Sequence, residues 1–519
     1  MAITDPLCRS FLDLWWHFNP AAATLAGVPG NDDRLGAFDA GSIREHVAAL
    51  RSIAGAVEDQ DVEETADEID RTALLDHVRV LVFRLEREQP HRRNPVLWID
   101  HACQALHGLL VRGPDDPSTA PAALSRLRSL PRFLADARET LRAPPGVLVE
   151  AALAQLDALR DLVEATGRRH GLSSTLSGGD GSAVLAEAEA AVDRMRLALR
   201  SEIPADPDPH AAAIGEEEVD RRLHYEHASL HNAAEVWRAS LGVATEIERE
   251  ATALAASIDP ARTWRDVYNS VLDRAGPPDD LPALYRSALI SAQRFAELRG
   301  LAAPGDLPPV VEPAPVHIGL LEPVASYSPA GALAPASLWI EGGDRPAIPW
   351  LAARLGIPGM HLHHSRSDAQ PGLVRSQIAA SSTASGWGLY AEELLRELGY
   401  SAEPESRLAE RVLALGDAHL AVVDLGIHTR QLTPEEAVGH LSTRLPIERA
   451  TAEAHVRRVA CHPTSACAAT LGRAELRRLR DDARAARGAE FDLTRFHEDV
   501  FSYGGLPVPL IRWGMDLDV

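Results

Sequence analysis

The sequence predicts a mainly α-helical protein with one small β-sheet. Over most of the 519-residue chain, apolar side chains recur at three- and four-residue steps, the period of an amphipathic helix. Alanine and arginine, both strong helix formers, fill many of the exposed positions. Only residues 317–343 contain short runs of β-branched and aromatic residues separated by Gly and Pro, and we expect two or three short strands there.

The individual helices follow from this period. Residues 70–88 place six apolar side chains on one face, and residues 122–142, 145–167 and 181–203 repeat the pattern. After the strands, helix is expected to resume near Pro349. Further helices follow, and one of them is predicted to start with a capping box formed by Thr433, Pro434 and Glu436.

Proline-rich stretches suggest where the chain divides. They interrupt the helical pattern at 204–210, 273–282 and 303–316. We place a boundary at the first of these, between an N-terminal helical lobe (1–209) and a cleft-forming lobe (210–519). Because no flexible linker separates the two, we expect one continuous structural unit.

Charge and composition limit the partners. The formal net charge is −23, which argues against nucleic acid and anionic membranes. The N-terminus has an early acidic residue and no basic segment, so we expect no signal peptide, and no apolar run is long enough to span a bilayer. These features predict a cytoplasmic protein whose partner is a small-molecule or peptide-like ligand; its oligomeric state stays open.

All 52 basic residues are arginine, which removes several kinds of chemistry. Without lysine there is no Schiff base, no pyridoxal-phosphate lysine and no P-loop lysine. The four cysteines form no Cys-x-x-Cys pair and are too sparse for a disulfide scaffold. We therefore expect no cofactor.

Two stretches carry the functional signal: RLGIPGMHLHH (354–364) and SGWGLYAEELLRELG (385–399). Together they resemble the large bacterial family known as domain of unknown function 885, and similar landmarks occur at 17–35, 422–441 and 488–511. The resemblance implies a helical, zincin-like body with a central cleft. It also implies a zinc peptidase centre built from a His-Glu-x-x-Pro-Gly-His-His motif and a Glu-Gly-Trp-Ala-Leu-Tyr-Ala-Glu motif.

This sequence departs from both motifs at the positions that matter for zinc. The resemblance places the first histidine at Arg354, the general base at Leu355, the second histidine at Met360 and the carboxylate at Ser385. Leucine and methionine offer no hard donor, and arginine is permanently cationic and repels zinc. We expect no metal at this place. A tyrosine of the family that would stabilise an oxyanion is also replaced, by Ala469.

Other polar positions of the implied cleft match the family. Asp424 and His428 are four residues apart, and we expect them either to hydrogen-bond as a carboxylate–imidazole pair or to brace helices. Arg354 is a candidate for binding a substrate carboxylate or phosphate. The candidate catalytic residues are His361, Tyr390, Glu392, Asp424, His428 and His497. The candidate substrate-binding residues are Tyr327, Arg354, His364, Ser385 and Trp387.

Three hypotheses follow. The sequence favours a repurposed, metal-independent enzyme that performs acid–base chemistry, namely elimination, isomerisation, cyclisation or hydrolysis, on a small carboxylate-bearing or peptide-like substrate in a biosynthetic pathway. The second is a non-catalytic pseudoenzyme that binds a peptide or small ligand. The third is a metallopeptidase with ligands relocated to His361, His363 and His364, of which only 361 and 364 share a helix face.

Overall fold

The computed structural model of the chain describes residues 3–112, 116, 118–172, 180–331 and 334–517. It confirms the mainly α-helical class: 71% of the chain is helix and 3% is strand. The predicted division at 209/210 stays a prediction, although the largest hydrophobic core combines residues of both ranges, such as Leu74 and Val78 with Leu415 and Val423.

Successive helices form the N-terminal part, and their apolar faces are buried as the period predicted. Their bounds are α1 (Asp5–Phe18), α2 (Pro20–Ala26), α3 (Ala40–Glu58), α4 (Thr65–Phe83), α5 (Pro90–Arg93), α6 (Pro95–Leu110), α7 (Thr119–Thr140), α8 (Gly146–Arg169) and α9 (Asp180–Leu197). A π-helical turn, Arg84–Glu88, extends α4, and another, Ala198–Glu202, extends α9.

The rest of the chain is also helical apart from the sheet. The predicted capping box is confirmed, since the Thr433 side chain accepts from the Glu436 N–H and Glu436 accepts from the Thr433 N–H. The helices are α10 (Glu216–Arg221), α11 (Ala233–Ile258), α12 (Trp264–Ala275), α13 (Leu281–Leu298), α14 (Val316–Gly319), α15 (Ile348–Leu355), α16 (Met360–Asp368), α17 (Leu373–Gln377), α18 (Ser381–Glu397), α19 (Pro404–His428), α20 (Pro434–Arg444), α21 (Arg449–Cys461), α22 (Ser465–Arg487), α23 (Leu493–Phe501) and α24 (Val508–Gly514).

The sheet has three strands in the order β1-β3-β2. Strand β1 (Val310–Pro313) runs parallel to β3 (Ser337–Ile340), and β2 (Ala325–Ser328) runs antiparallel to it. Two strands lie in the predicted region, but β1 lies before it, within the proline-rich break at 303–316 where we predicted no strand. An edge strand tolerates proline, so the proline-rich composition there concealed it.

Close packing of α18 against α22 positions the region of the two motifs. A Cβ at Gly386 would lie 2.7 Å from the Gly472 carbonyl carbon, and a Cβ at Gly472 would collide with the Ser382 carbonyl oxygen. The two helices approach this closely because both positions are glycine. The next helix, α19, packs between α11 and α22.

Candidate functional site

Arg354, at the end of α15, is held by carboxylates of two other helices. Its Nε donates to Glu392 Oε2 on α18 at 2.6 Å. Its Nη1 and Nη2 donate to the two carboxylate oxygens of Asp417 on α19, at 3.2 and 2.8 Å. The side chains of Arg354 and Glu392 are only 13% and 3% exposed. The guanidinium that we expected to bind substrate is therefore occupied by the protein's own acids.

More ion pairs surround this triad. Arg411 pairs with Glu410 and, at 2.8 Å, with Glu250. The space enclosed by these groups is only about 10 Å³, near the lower limit for one water molecule. Burial raises the pKa of Glu392, with Arg354 opposing that shift. Burial by itself lowers the pKa of Arg354, but Asp417 and Glu392 outweigh it and raise that pKa, so Arg354 stays charged.

Tyr327, His361 and His364 form a second group beside the sheet. His361 Nε2 lies 2.7 Å from the Leu307 carbonyl oxygen and Nδ1 lies 3.0 Å from Tyr327 Oη. Since a carbonyl oxygen only accepts hydrogen bonds, Nε2 is the donor to Leu307. In a neutral His361, Nδ1 then accepts a hydrogen bond from the Tyr327 hydroxyl. The His364 ring lies 5.3 Å from the Tyr327 ring. This places 361 and 364 on one face of α16, as predicted.

Trp387, Tyr390 and His497 form a third group, together with His363 from the opposite side of α16. Tyr390 Oη and His497 Nε2 are 2.9 Å apart, and the Trp387 and His497 rings are 5.1 Å apart. Trp387 Nε1 donates to the Pro358 carbonyl at 2.9 Å. Burial lowers the pKa of His497 to about 3, so this imidazole is neutral. The four side chains belong to or contact a buried core.

Asp424 and His428 lie elsewhere and do not form the hydrogen-bonded pair considered above, because their nearest atoms are 3.9 Å apart. His428 Nε2 instead donates to the Val459 carbonyl at 3.0 Å. The Asp424 carboxylate accepts the backbone N–H groups of Thr464, Ala466 and Cys467 at 2.9 to 3.0 Å. It therefore caps the N-terminus of α22.

The predicted residues are thus distributed over separate groups instead of converging on one cleft. Ser385 is partly exposed on α18 and provides no side-chain cap at that helix's N-terminus. Within the described ranges, no three or more His, Cys, Asp and Glu side chains are arranged to hold a metal ion. Similarly, none of the described helices is long and apolar enough to cross a membrane.

Sequence reasoning missed a cavity of about 400 Å³ between the N-terminal helices and the segments 211–214 and 460–463. Arg222 closes one side, with Nε and Nη2 donating to the Glu88 carboxylate at 2.7 and 2.5 Å. Asp100 on α6 lies on another side, and burial raises its pKa to about 6. The available signal was Asp100, the one acidic residue of the largely apolar α6, but its approach to Arg84 and Arg222 depends on the tertiary fold.

Comparison with known proteins agrees with the motif resemblance. A family described as bacterial protein of unknown function (DUF885) matches residues 20–515. The chain belongs to this family. No curated protein matches the DUF885 chain in sequence.

Two solved structures share the fold of this DUF885 chain. One is a candidate lipoprotein of unknown function from Shewanella oneidensis, 19% identical, with a TM-score of 0.80 and coverage of 99% of this chain and 100% of that one. The other is a candidate lipoprotein from Colwellia psychrerythraea, 17% identical, with a TM-score of 0.82 and coverage of 100% of this chain and 99% of that one. At these identities the likeness shows the fold alone.

Proposed function

We propose that this protein is a metal-independent relative of the zinc peptidases that its two motifs resemble, and that it acts by binding a small ligand. In this proposal the region of the peptidase centre has become part of the structural framework. The binding site is the 400 Å³ cavity, whose size lies within the range of about 300–1,000 Å³ that is usual for small-molecule pockets.

The observation that supports this proposal most directly is that Arg354 is paired with two carboxylates of the protein itself. Its three hydrogen bonds to Glu392 and Asp417 neutralise the positive charge of the guanidinium, so that charge is not available to a substrate anion. A substrate group would need to displace the bidentate, half-buried carboxylate of Asp417 or the buried carboxylate of Glu392, which is costly in a poorly solvated site. The remaining space of about 10 Å³ holds no substrate.

The residues at this place do not fit a zinc ion. A zinc hydrolase supplies three neutral or anionic donors and leaves one position for water. Here Arg354 brings a permanent positive charge, and Leu355 and Met360 supply no hard donor. Glu392, the nearest carboxylate to Arg354, is already its ion-pair partner. No reaction step is therefore assigned to a metal at this position.

A binding experiment that compares the 400 Å³ cavity with the region around Arg354 tests the proposal. The full-length protein is treated with excess EDTA, desalted and screened by thermal shift against small carboxylic acids, amides and dipeptides. We expect at least one class to raise Tm, and zinc to leave that rise unchanged. Ala212→Phe, which fills part of the cavity, should abolish the rise, whereas Arg354→Met should retain it if the variant is folded. Binding that needs zinc, or that survives Ala212→Phe, contradicts the proposal.

One observation favours a second candidate, acid–base catalysis on a small substrate. Asp100 lines the cavity, and its pKa of about 6 lies close to neutral pH, where a general acid or base works best. Under this alternative the reaction occurs in the cavity and not around Arg354. Turnover of a bound compound that is lost in Asp100→Asn, while binding is kept, would establish it.

A further inference from the structure

Arg84 is a charged side chain that faces the cavity and has no hydrogen-bond or ion-pair partner in the described part of the chain. It lies in the π-helical turn that follows α4 and lines the 400 Å³ cavity. The side chain is partly buried, and its guanidinium forms neither a hydrogen bond nor an ion pair with any residue that the structure describes. An arginine carries five N–H donors, and those of Arg84 are available to a group placed in the cavity.

The surroundings of Arg84 disfavour its positive charge. Arg222 is close enough to be the main cause that lowers the pKa of Arg84, ahead of burial. Glu88 acts in the opposite direction, but its carboxylate is already engaged in two bonds with Arg222. Glu226 also opposes the shift without reaching Arg84 as an ion pair. An anion placed in the cavity next to Arg84 would offset the repulsion from Arg222.

Apolar side chains on the other walls of the cavity indicate that the rest of the ligand is apolar. Phe18 and Phe38 lie on one side, with ring centroids 5.2 Å apart, and Leu148 and Leu321 also line the space. Burying an apolar group against such walls is favourable, because it removes apolar surface from water. Asp100 also lines the cavity and limits the charge of the ligand. The second negative charge of a dianion would lie near the Asp100 carboxylate, which would repel it.

We propose that this cavity binds a small monocarboxylic acid with an apolar body, with the carboxylate paired to Arg84 and the body packed against Phe18, Phe38 and Leu148. This inference rests on the proposed function, since it names the class of ligand for the same cavity. It replaces Arg354 by Arg84 as the residue that recognises a carboxylate.

Isothermal titration calorimetry on the metal-free, full-length protein tests the assignment. The probes are octanoate and 3-phenylpropionate, each compared with its neutral amide. A bond to a charged group contributes about 1.5–3 kcal/mol, so at least one acid should bind about tenfold or more tightly than its amide. Arg84→Met should remove this preference, so that each acid binds no more tightly than its amide. The matched control is Arg51→Met, because Arg51 pairs with Glu86 on the outer surface and does not line the cavity.

The possible outcomes separate the two proposals. If an amide binds as tightly as its acid, or if Arg84→Met keeps the preference for the acid, Arg84 does not recognise a carboxylate, although a neutral ligand still supports the proposed function. If no compound of any charge binds in the cavity, both proposals are wrong. The acid–amide comparison in the wild-type protein decides the assignment even if Arg84→Met fails to fold.

Discussion

Arg354 and Asp417 form a bidentate ion pair that joins α15 to α19, with Nη1–Oδ1 and Nη2–Oδ2 distances of 3.2 and 2.8 Å. The third contact, from Arg354 Nε to Glu392, joins the same side chain to α18. Asp417 belongs to neither of the two motifs, yet it is the residue that fixes the arginine plane. One side chain therefore connects three helices at the place where the resemblance puts a metal ligand.

Removing this arginine should destabilise the fold. In Arg354→Met, Glu392 and Asp417 remain buried or partly buried without their cation, and breaking a buried pair in this way costs about 3–5 kcal/mol. Urea denaturation of the variant and the wild type measures the difference in the free energy of unfolding. Replacing all three residues by apolar ones, as in Arg354→Met/Glu392→Met/Asp417→Leu, should recover part of the loss, because no unpaired charge is then left.

An exposed ion pair provides the control for this experiment. Arg274 pairs with Glu405 at 2.9 Å, but the two side chains are 55% and 47% exposed. Arg274→Met should cost less than about 1 kcal/mol, the usual value for a surface pair. Equal losses in Arg274→Met and Arg354→Met would mean that the Arg354 triad has no special structural role.

Restoring the residues of the family motif should create a zinc response. The variant Arg354→His/Leu355→Glu/Met360→His/Ser385→Glu removes the cation and supplies the donors that the resemblance requires. We expect it to unfold at a lower temperature than the wild type without metal, and to gain stability with zinc. A ligand at 100 times its Kd adds about 2.7 kcal/mol. Wild-type protein should show no such gain, and a variant that is equally indifferent to zinc would contradict the zincin-like geometry.

The helical body could be predicted because its signal is local. Burial of the face that includes Leu74, Val78 and Val82 follows from residue spacing, and the cap at Thr433 follows from side-chain type and position. Strand β1 was missed for the same reason: a short edge strand containing Pro313 has no clear alternation, and its pairing partner lies more than 20 residues further along the chain.

The site could be predicted only in part, because the residues that pair with a charged side chain lie far from it in the sequence. The sequence showed that 354, 355, 360 and 385 lack zinc donors, but not that Asp417 would neutralise Arg354. Family landmarks grouped Tyr327, Tyr390 and Asp424 as one cleft, whereas each has a different local partner. The unpaired Arg84 becomes visible only once the cavity around it is known.

Asp424 should prove to be a structural cap. Asp424→Ala leaves three buried backbone N–H groups at the start of α22, those of Thr464, Ala466 and Cys467, without an acceptor. Each such group costs about 1–3 kcal/mol, so we expect a loss of at least about 3 kcal/mol. The comparison is Asp39→Ala, which removes a partly buried cap of α3 and should cost about 1 kcal/mol. Chemical denaturation measures both, and an Asp424→Ala protein as stable as the wild type would point back to a functional role.

Buried histidines should make the protein sensitive to acid, and His363 offers a direct test. Burial, with a smaller effect of His364, lowers the pKa of His363 from 6.5 to about 3. Below pH 6.5 the unfolded chain therefore binds a proton at this histidine that the folded chain does not. The stability that comes from keeping His363 neutral is complete above pH 6.5, and the free energy of unfolding decreases as the pH falls from 6.5 towards 3. Between about pH 7.5 and 5.5 the loss is about 1 kcal/mol for one histidine.

His363→Phe should remove that part of the pH dependence. The ring sits against Trp387 and Phe501, with centroids 5.8 and 6.2 Å away, so an apolar aromatic side chain suits the position. Relative to the wild type, the variant should gain about 1 kcal/mol in the free energy of unfolding when the pH is lowered from about 7.5 to about 5.5. A His363→Phe profile parallel to that of the wild type would show that His363 is not held neutral by burial.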